Sequence, residues 1–251
     1  MTELRARSLD GIPEVRPGDD LAAIIARSAG PGAFAADEVV AVAHTIVSKA
    51  EGAVIRLADV VPGDRALDLA SKQGKDPRLV QVVLDESAEL LRAERGILIS
   101  RTRHGLVCAN AGVDISNAGT PDTAVLLPRD PDASARALRA GLRELGAGGP
   151  AVLITDTFGR AWRLGQSDVA VGVAGLAALD DWRGRGDAEG NELHATVIAV
   201  ADAAAAAADL ARSKDSREPV VAISGLGRFV SEEDGPGARA LIRPLDEDLF
   251  R

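Results

Sequence analysis

The sequence is poor in cysteine, aromatic residues and positive charge, and each shortage removes a class of protein. One Cys among 251 residues allows neither an internal disulfide nor a thiolate metal cage. With no Tyr, four Phe and two Trp, there is no interleaved basic and aromatic surface of the kind that stacks single-stranded nucleic acid. Lys and Arg number 29 against 38 Asp and Glu, so the formal charge of −9 repels nucleic acid and anionic membranes. An anionic substrate would need local Arg or Lys, or a bound divalent cation, to reverse that field. No uncharged apolar run is long enough to cross a bilayer, and the first residues lack an apolar signal-peptide region. A cytoplasmic protein with no nucleic-acid or membrane partner is expected. No Gly-x-Gly-x-x-Gly follows a strand and no Gly-x4-Gly-Lys-Ser/Thr occurs, which leaves Rossmann and P-loop readings without support. His104 and His194 stand alone, without the partners of a zinc site.

What is abundant is aliphatic: hydrophobic residues make up 46%, enough for a large core of Ala, Val, Leu and Ile. Turn formers and breakers crowd Leu9 to Gly18, before a helix expected over Asp20–Ser28. Glu38–Ala43 reads as a buried strand that runs into the polar stretch His44 to Gly52. Helical periodicity marks 64–73 and 77–94, the second with Leu79, Val80, Val83, Leu84, Leu90 and Leu91 on one broad face. Ile97–Ile99 and Leu106–Cys108 flank a basic turn, and Val125–Leu127 is a further strand. Asp130-Pro-Asp132 caps a helix over 133–145, which Gly146 to Pro150 stops. Strands at 151–154, 195–200 and 220–223 follow, with an Ala-rich helix over 202–212 between the last two. This irregular alternation fits a mixed α/β or α+β sheet better than a regular doubly wound fold. Residues 1–251 read as a single module, with 146–150 the best place for a hinge between subdomains.

Two clusters carry chemistry. In Asn110-Ala-Gly-Val-Asp-Ile-Ser-Asn117, Asp114 and Asn117 offer hard oxygen donors on a turn where they could converge on Mg²⁺ or Mn²⁺, although Asp and Asn also simply make turns. In Val152-Leu-Ile-Thr-Asp-Thr157 a carboxylate ends a buried apolar strand, where it is costly unless it meets solvent, a cation or donors. Arg160 and Arg163 follow at once, suited to gripping phosphate or carboxylate oxygens. Asp156, Thr157 and the two arginines together read either as a phosphoryl-transfer constellation or as a strand end with a surface ion pair. Lys49 could add a third positive charge, or could be ordinary solvated surface.

Six strings recur in one order: Gly11-Ile-Pro-Glu-Val15, Ile46-Val-Ser-Lys-Ala-Glu-Gly52, Thr102-Arg-His-Gly-Leu-Val107, Asn110 to Asn117, Leu127-Pro-Arg-Asp-Pro-Asp-Ala-Ser-Ala135 and Ile154-Thr-Asp-Thr-Phe-Gly-Arg-Ala-Trp-Arg163. On these the chain resembles the coenzyme F-420-0:L-glutamate ligase (F-420 gamma-glutamyl ligase) family, over about residues 9 to 225. The resemblance implies an α+β fold with mixed sheets in an interlocked homodimer. It further implies a GTP-dependent ligase that adds L-glutamate to the phospholactyl end of the deazaflavin coenzyme F-420-0, with Mg²⁺ or Mn²⁺ and K⁺ as cofactors. By matching motifs, Asp114, Asp156 and Thr157 would hold metal. Gly11, Ile12, Pro13, Glu14, Thr45, Lys49 and Asn117 would contact the nucleotide, and Lys49 with Arg160 or Arg163 would stabilise the transferring phosphoryl group. The pattern departs from the family's at His44, where Ser is usual, at Leu164, in Ala211-Arg-Ser-Lys214, and at Ser224, where Arg is usual. These departures make His44 and Ser224 candidates for an altered nucleotide site. They keep open two alternatives: a member that binds metal or nucleotide without ligase activity, and a ligase for another phosphorylated carboxylate.

Overall fold

The computed structural model describes residues 3–115, 121–213 and 215–248. In chain order the elements begin with β1 (Arg5–Ser8), α1 (Leu21–Ala29), β2 (Val39–Ala43), α2 (His44–Ala50) and β3 (Val54–Arg56). They continue with α3 (Asp64–Gln73), α4 (Pro77–Glu86), β4 (Ser87–Glu94), β5 (Ile97–Thr102), β6 (Val107–Ala109), β7 (Thr123–Val125) and α5 (Pro131–Glu144). The chain then forms β8 (Ala151–Arg160), β9 (Arg163–Ala174), β10 (Leu179–Asp181), β11 (Val197–Ala199), α6 (Val200–Ala211) and β12 (Val220–Ser224).

Five strands make the central sheet in the order β1-β12-β2-β8-β9. Only β2 and β8 run parallel; the other neighbours are antiparallel, so the sheet is mixed. Its middle strands are buried on both faces, which is why they read as continuous apolar runs rather than as alternating ones. Alternation persists within the runs. Val40 and Val42 pack with Val152, Ile154, Ile25 of α1 and Leu138 and Leu142 of α5, whereas Val39 and Ala41 face α6. There Ala201, Ala204, Ala205 and Ala208 are buried, and their small side chains let the helix lie close against the sheet. An aromatic-poor core is thus closed by proximity instead of by bulk.

Local signals account for the helix ends. Asp20, Asp76 and Asp130 cap α1, α4 and α5 through side-chain acceptors, and Pro77 and Pro131 stand at the first helical turn. Four expectations need correction. The strand expected over 195–200 is only β11, Val197–Ala199, because α6 begins at Val200. The helical pattern over 77–94 is broken at Glu86: the Ser87 hydroxyl donates to Val83 O at 2.6 Å, and 87–94 becomes β4, paired with β5 through two register shifts. The strand expected at Val125–Leu127 is β7, ending at Val125. The strand expected to stop near Thr157 runs on to Arg160 and returns as β9, a hairpin with Ala161 and Trp162 in its turn and Trp162 at φ 65°. No helix among the described residues is long and apolar enough to cross a membrane.

Candidate active site

The parallel pairing of β2 with β8 ends at Ala43 opposite Thr155, so the residues that follow, His44 at the start of α2 and Asp156 on β8, meet at the same end of the sheet. His44 Nε2 lies 3.3 Å from Asp156 Oδ1, and its Nδ1 is 3.4 Å from Ser48 Oγ. Asp156 Oδ1 also accepts from Thr157 N at 2.7 Å. Asp114 arrives from elsewhere, fixed by a two-bond bridge in which Asp114 N and Val125 N donate to each other's carbonyls at 2.9 and 2.8 Å. Asp168 stands directly across the hairpin from Thr157. His44, Asp114, Asp156, Thr157 and Asp168 line a recess of about 640 Å³, together with Ile12, Pro13, Glu14, Thr45, Lys49 and Arg212.

The recess is strongly electronegative at its base. Burial disfavours a charged His44, yet the imidazole pKa is raised above 6.5 because Asp156, by charge and hydrogen bonding, and then Asp114 and Asp168 outweigh that cost. Cys108 responds to the same field: burial first, and the Asp156 charge second, push its thiol up to about 12. Cationic groups share the recess. Lys49 is buried on α2 and donates to Glu14 Oε1 at 2.7 Å, and the Arg212 guanidinium pairs with Asp168.

Most of the sequence-derived candidates therefore meet in one place. Ile12, Pro13, Glu14, Thr45, Lys49, Asp114, Asp156 and Thr157 all line the recess, whereas Gly11 does not and instead accepts from Ser28 Oγ at 3.3 Å. Asn117 lies outside the described residues. Arg160 and Arg163 are not brought to the recess: they face each other across the exposed hairpin tip, where Arg160 donates to Leu164 O at 2.7 Å. Of the departures, His44 lines the recess but Ser224 does not, ending β12 opposite Arg5, and Leu164 is solvent-exposed at the tip. Sequence reading missed Asp168 and Arg212. The signal for Asp168 was a lone carboxylate opening the apolar run Val169 to Ala174; Arg212 lies in the departing Ala211-Arg-Ser-Lys214 segment, whose Arg212 and Ser213 line the recess, but it was not singled out there.

The donor set suits a hard cation. Two carboxylates and a hydroxyl offer only oxygen, and the field that raises the His44 pKa would act equally on a bound ion. Among the described residues no three His, Cys, Asp or Glu side chains are arranged to hold a metal by themselves. A cation here would complete its shell with substrate oxygens and water, as Mg²⁺ bound beside phosphates ordinarily does. A larger groove of about 1620 Å³, lined by Phe158 and Val169 with Arg101, Arg103, His104 and Arg129, shares no lining residue with the recess.

The mixed sheet, with a recess lined by carboxylates and by Lys49 and Arg212, defines an α+β protein with a charged pocket. The chain belongs to the F420-0:gamma-glutamyl ligase family, whose model matches residues 11–225. It is 47% identical over 240 residues to the coenzyme F420:L-glutamate ligase of Methanopyrus kandleri, covering 95% of this chain and 94% of that one. The ligase of the same name from Methanothermobacter thermautotrophicus is 44% identical over 246 residues, 97% of each chain. That from Haloarcula marismortui is 42% identical over 251 residues, 97% of this chain and 94% of the relative.

Proposed function

We propose that the protein is a GTP- and divalent-metal-dependent ligase that joins L-glutamate to F420-0 through an acyl phosphate. The observation that carries this reading is the convergence of Asp114, Asp156 and Thr157 with Lys49 and Arg212 in one recess, since a metal–triphosphate complex presents both signs of charge. Full-length similarity to coenzyme F420:L-glutamate ligases supports it.

A free carboxylate is a poor acyl donor because oxide is a poor leaving group. Transfer of the GTP γ-phosphoryl group to the F420-0 carboxylate turns that oxygen into part of a good leaving group, and the glutamate amine can then displace phosphate to form the amide. Asp114, Asp156 and the Thr157 hydroxyl would hold Mg²⁺ or Mn²⁺, with K⁺ as a further cation. Bound there, the ion supplies neutralisation and alignment of the triphosphate. Lys49 would exchange the exposed Glu14 carboxylate for a phosphate oxygen, and Ile12, Pro13 and Glu14 with Thr45 and Asn117 would hold the nucleotide. The phosphoryl-stabilising role first read for Arg160 and Arg163 falls within this chain to Lys49 and Arg212. The larger groove, with arginines and apolar walls, suits the anionic, ring-bearing acceptor. At the hairpin tip Trp162 and Leu164 are 89% and 96% exposed, an apolar surface that a homodimer would cover.

His44 favours one alternative, because its pairing with Asp156 places a proton where the usual Ser would leave the carboxylate to the cation alone. In that alternative the chain binds metal or nucleotide without ligating. Incubation with F420-0, GTP, Mn²⁺ and L-glutamate separates the two: ligation gives F420-0 heavier by one glutamyl residue, with GDP and phosphate in equal amount. Unchanged F420-0 in the presence of bound Mn²⁺ and GTP would overturn the F420-0 ligase reading.

A further inference from the structure

Asp168 is 1% exposed, at the point where β9 enters the core. A carboxylate buried so deeply is tolerated only when its lone pairs are engaged. Thr157, Thr155 and Arg212 are among the side chains that engage it. Thr157 Oγ1 donates to Oδ1 at 2.7 Å, Thr155 Oγ1 donates to Oδ2 at 2.8 Å, and Arg212 Nη2 donates to Oδ2. The same Arg212 Nη2 donates to Thr155 Oγ1 at 2.8 Å, and Nη1 donates to Pro219 O at 3.2 Å. One carboxylate thus ties both threonines of β8 to the segment that follows α6.

The consequence for Thr157 is one of polarity. A hydroxyl has a single proton, and with that proton given to Asp168 the oxygen meets the recess as an electron-pair donor, which is what a cation requires. Asp168 is badly placed to ligate the cation directly, because an ion at Oδ2 would have to displace the guanidinium or bear its repulsion at short range. We propose that Asp168 is a positioning residue for the metal site, acting on the bound cation through the Thr157 hydroxyl. This rests on the reading that Thr157 ligates the metal.

The test is Mn²⁺ affinity, followed by electron paramagnetic resonance of the free ion, in purified protein without nucleotide. Asp168→Glu keeps the charge and its arginine partner but moves the carboxylate off the Thr157 hydroxyl. Asp168→Asn combined with Arg212→Gln also conserves net charge and serves should the glutamate variant fail to fold. Each is made with and without Thr157→Val, and thermal unfolding in chelator confirms the fold. Thr157→Val and Asp168→Glu are each expected to weaken Mn²⁺ binding by about tenfold or more, the usual cost of losing a group that orients a ligand. Because Asp168 acts through the hydroxyl, their combination should bind no more weakly than Thr157→Val alone. A further loss in the combined variant, or wild-type affinity in Asp168→Glu while Thr157→Val is weakened, overturns the inference. Wild-type affinity in Thr157→Val removes Thr157 from the metal's ligands, and this inference falls with it.

Discussion

Replacing Asp156 with Asn tests the electrostatics of the recess with little steric change. The amide oxygen can still accept from Thr157 N, which now donates at 2.7 Å, so the strand end keeps its local bond. What disappears is the negative charge 3.3 Å from His44 Nε2. Two full charges at that separation attract by roughly 5 kcal/mol at an effective dielectric of about 20, and most of this is consumed by desolvating an imidazolium that is only 2% exposed. The net loss should be about 1 to 3 kcal/mol, the cost of leaving a buried charged donor without its partner. Its pH dependence follows from the direction of the shift. The folded protein holds the His44 proton more tightly than the unfolded chain, so the contribution is complete below the unfolded value of 6.5 and is lost as pH rises through the raised folded value. Urea unfolding in chelator at about pH 6 and about pH 9 should therefore show a large deficit for Asp156→Asn at the lower pH and a small one at the higher. At the higher pH the variant also escapes repulsion from Asp114 and Asp168, so it should approach or pass the wild type. An equal deficit at both values, or none at the lower, would refute the reasoning.

Asp132 is 6% exposed and its Oδ1 accepts from Val173 N at 2.9 Å and Ala238 N at 2.7 Å, so Asp132→Ala should cost about 3 to 5 kcal/mol in denaturant unfolding; a loss below about 1 kcal/mol would count against it. Cys108, with its pKa pushed up to about 12, should resist iodoacetamide at about pH 8 until the protein is unfolded, and labelling of the native protein at the unfolded rate would contradict this. Trp162→Glu with Leu164→Glu should convert a dimer into a monomer of 25.9 kDa in light scattering; a wild type already monomeric, or a variant still dimeric, would remove the hairpin tip from the interface.

Where a local rule governed the fold, the sequence was readable. The Asp76-Pro77 and Asp130-Pro131 starts are chemistry confined to a few residues, and the Gly74 stop of α3, at φ 64°, is the left-handed position that glycine takes most easily. Where tertiary pairing overruled local preference, it was not. Residues 87–94 contain Glu, Leu, Arg and Ala, all good helix formers, but β5 draws them into a ladder that no pattern within the segment announces. The hairpin tip was equally opaque, because its strands project into solvent and carry no apolar alternation to mark them. The recess divides in the same way. Asp114, Asp156, Thr157 and Lys49 sit in motifs, but their meeting depends on the parallel register of β2 and β8 and on the bridge at Asp114, which are long-range facts. Arg160 and Arg163 are adjacent in sequence to Asp156 and Thr157, and extended backbone carries them away from the recess at about 3.3 Å per residue. Arg212 is distant in sequence and ends up within hydrogen-bonding distance of Thr155.

The central claim, that this recess is the metal and nucleotide site, is tested most directly by anomalous diffraction from crystals grown with Mn²⁺ and a non-hydrolysable GTP analogue. The account predicts manganese peaks within ligand distance of Asp114, Asp156 and Thr157, with the triphosphate reaching toward Lys49. Manganese and nucleotide bound elsewhere, with these three side chains left as they pair in the present structure, would contradict it.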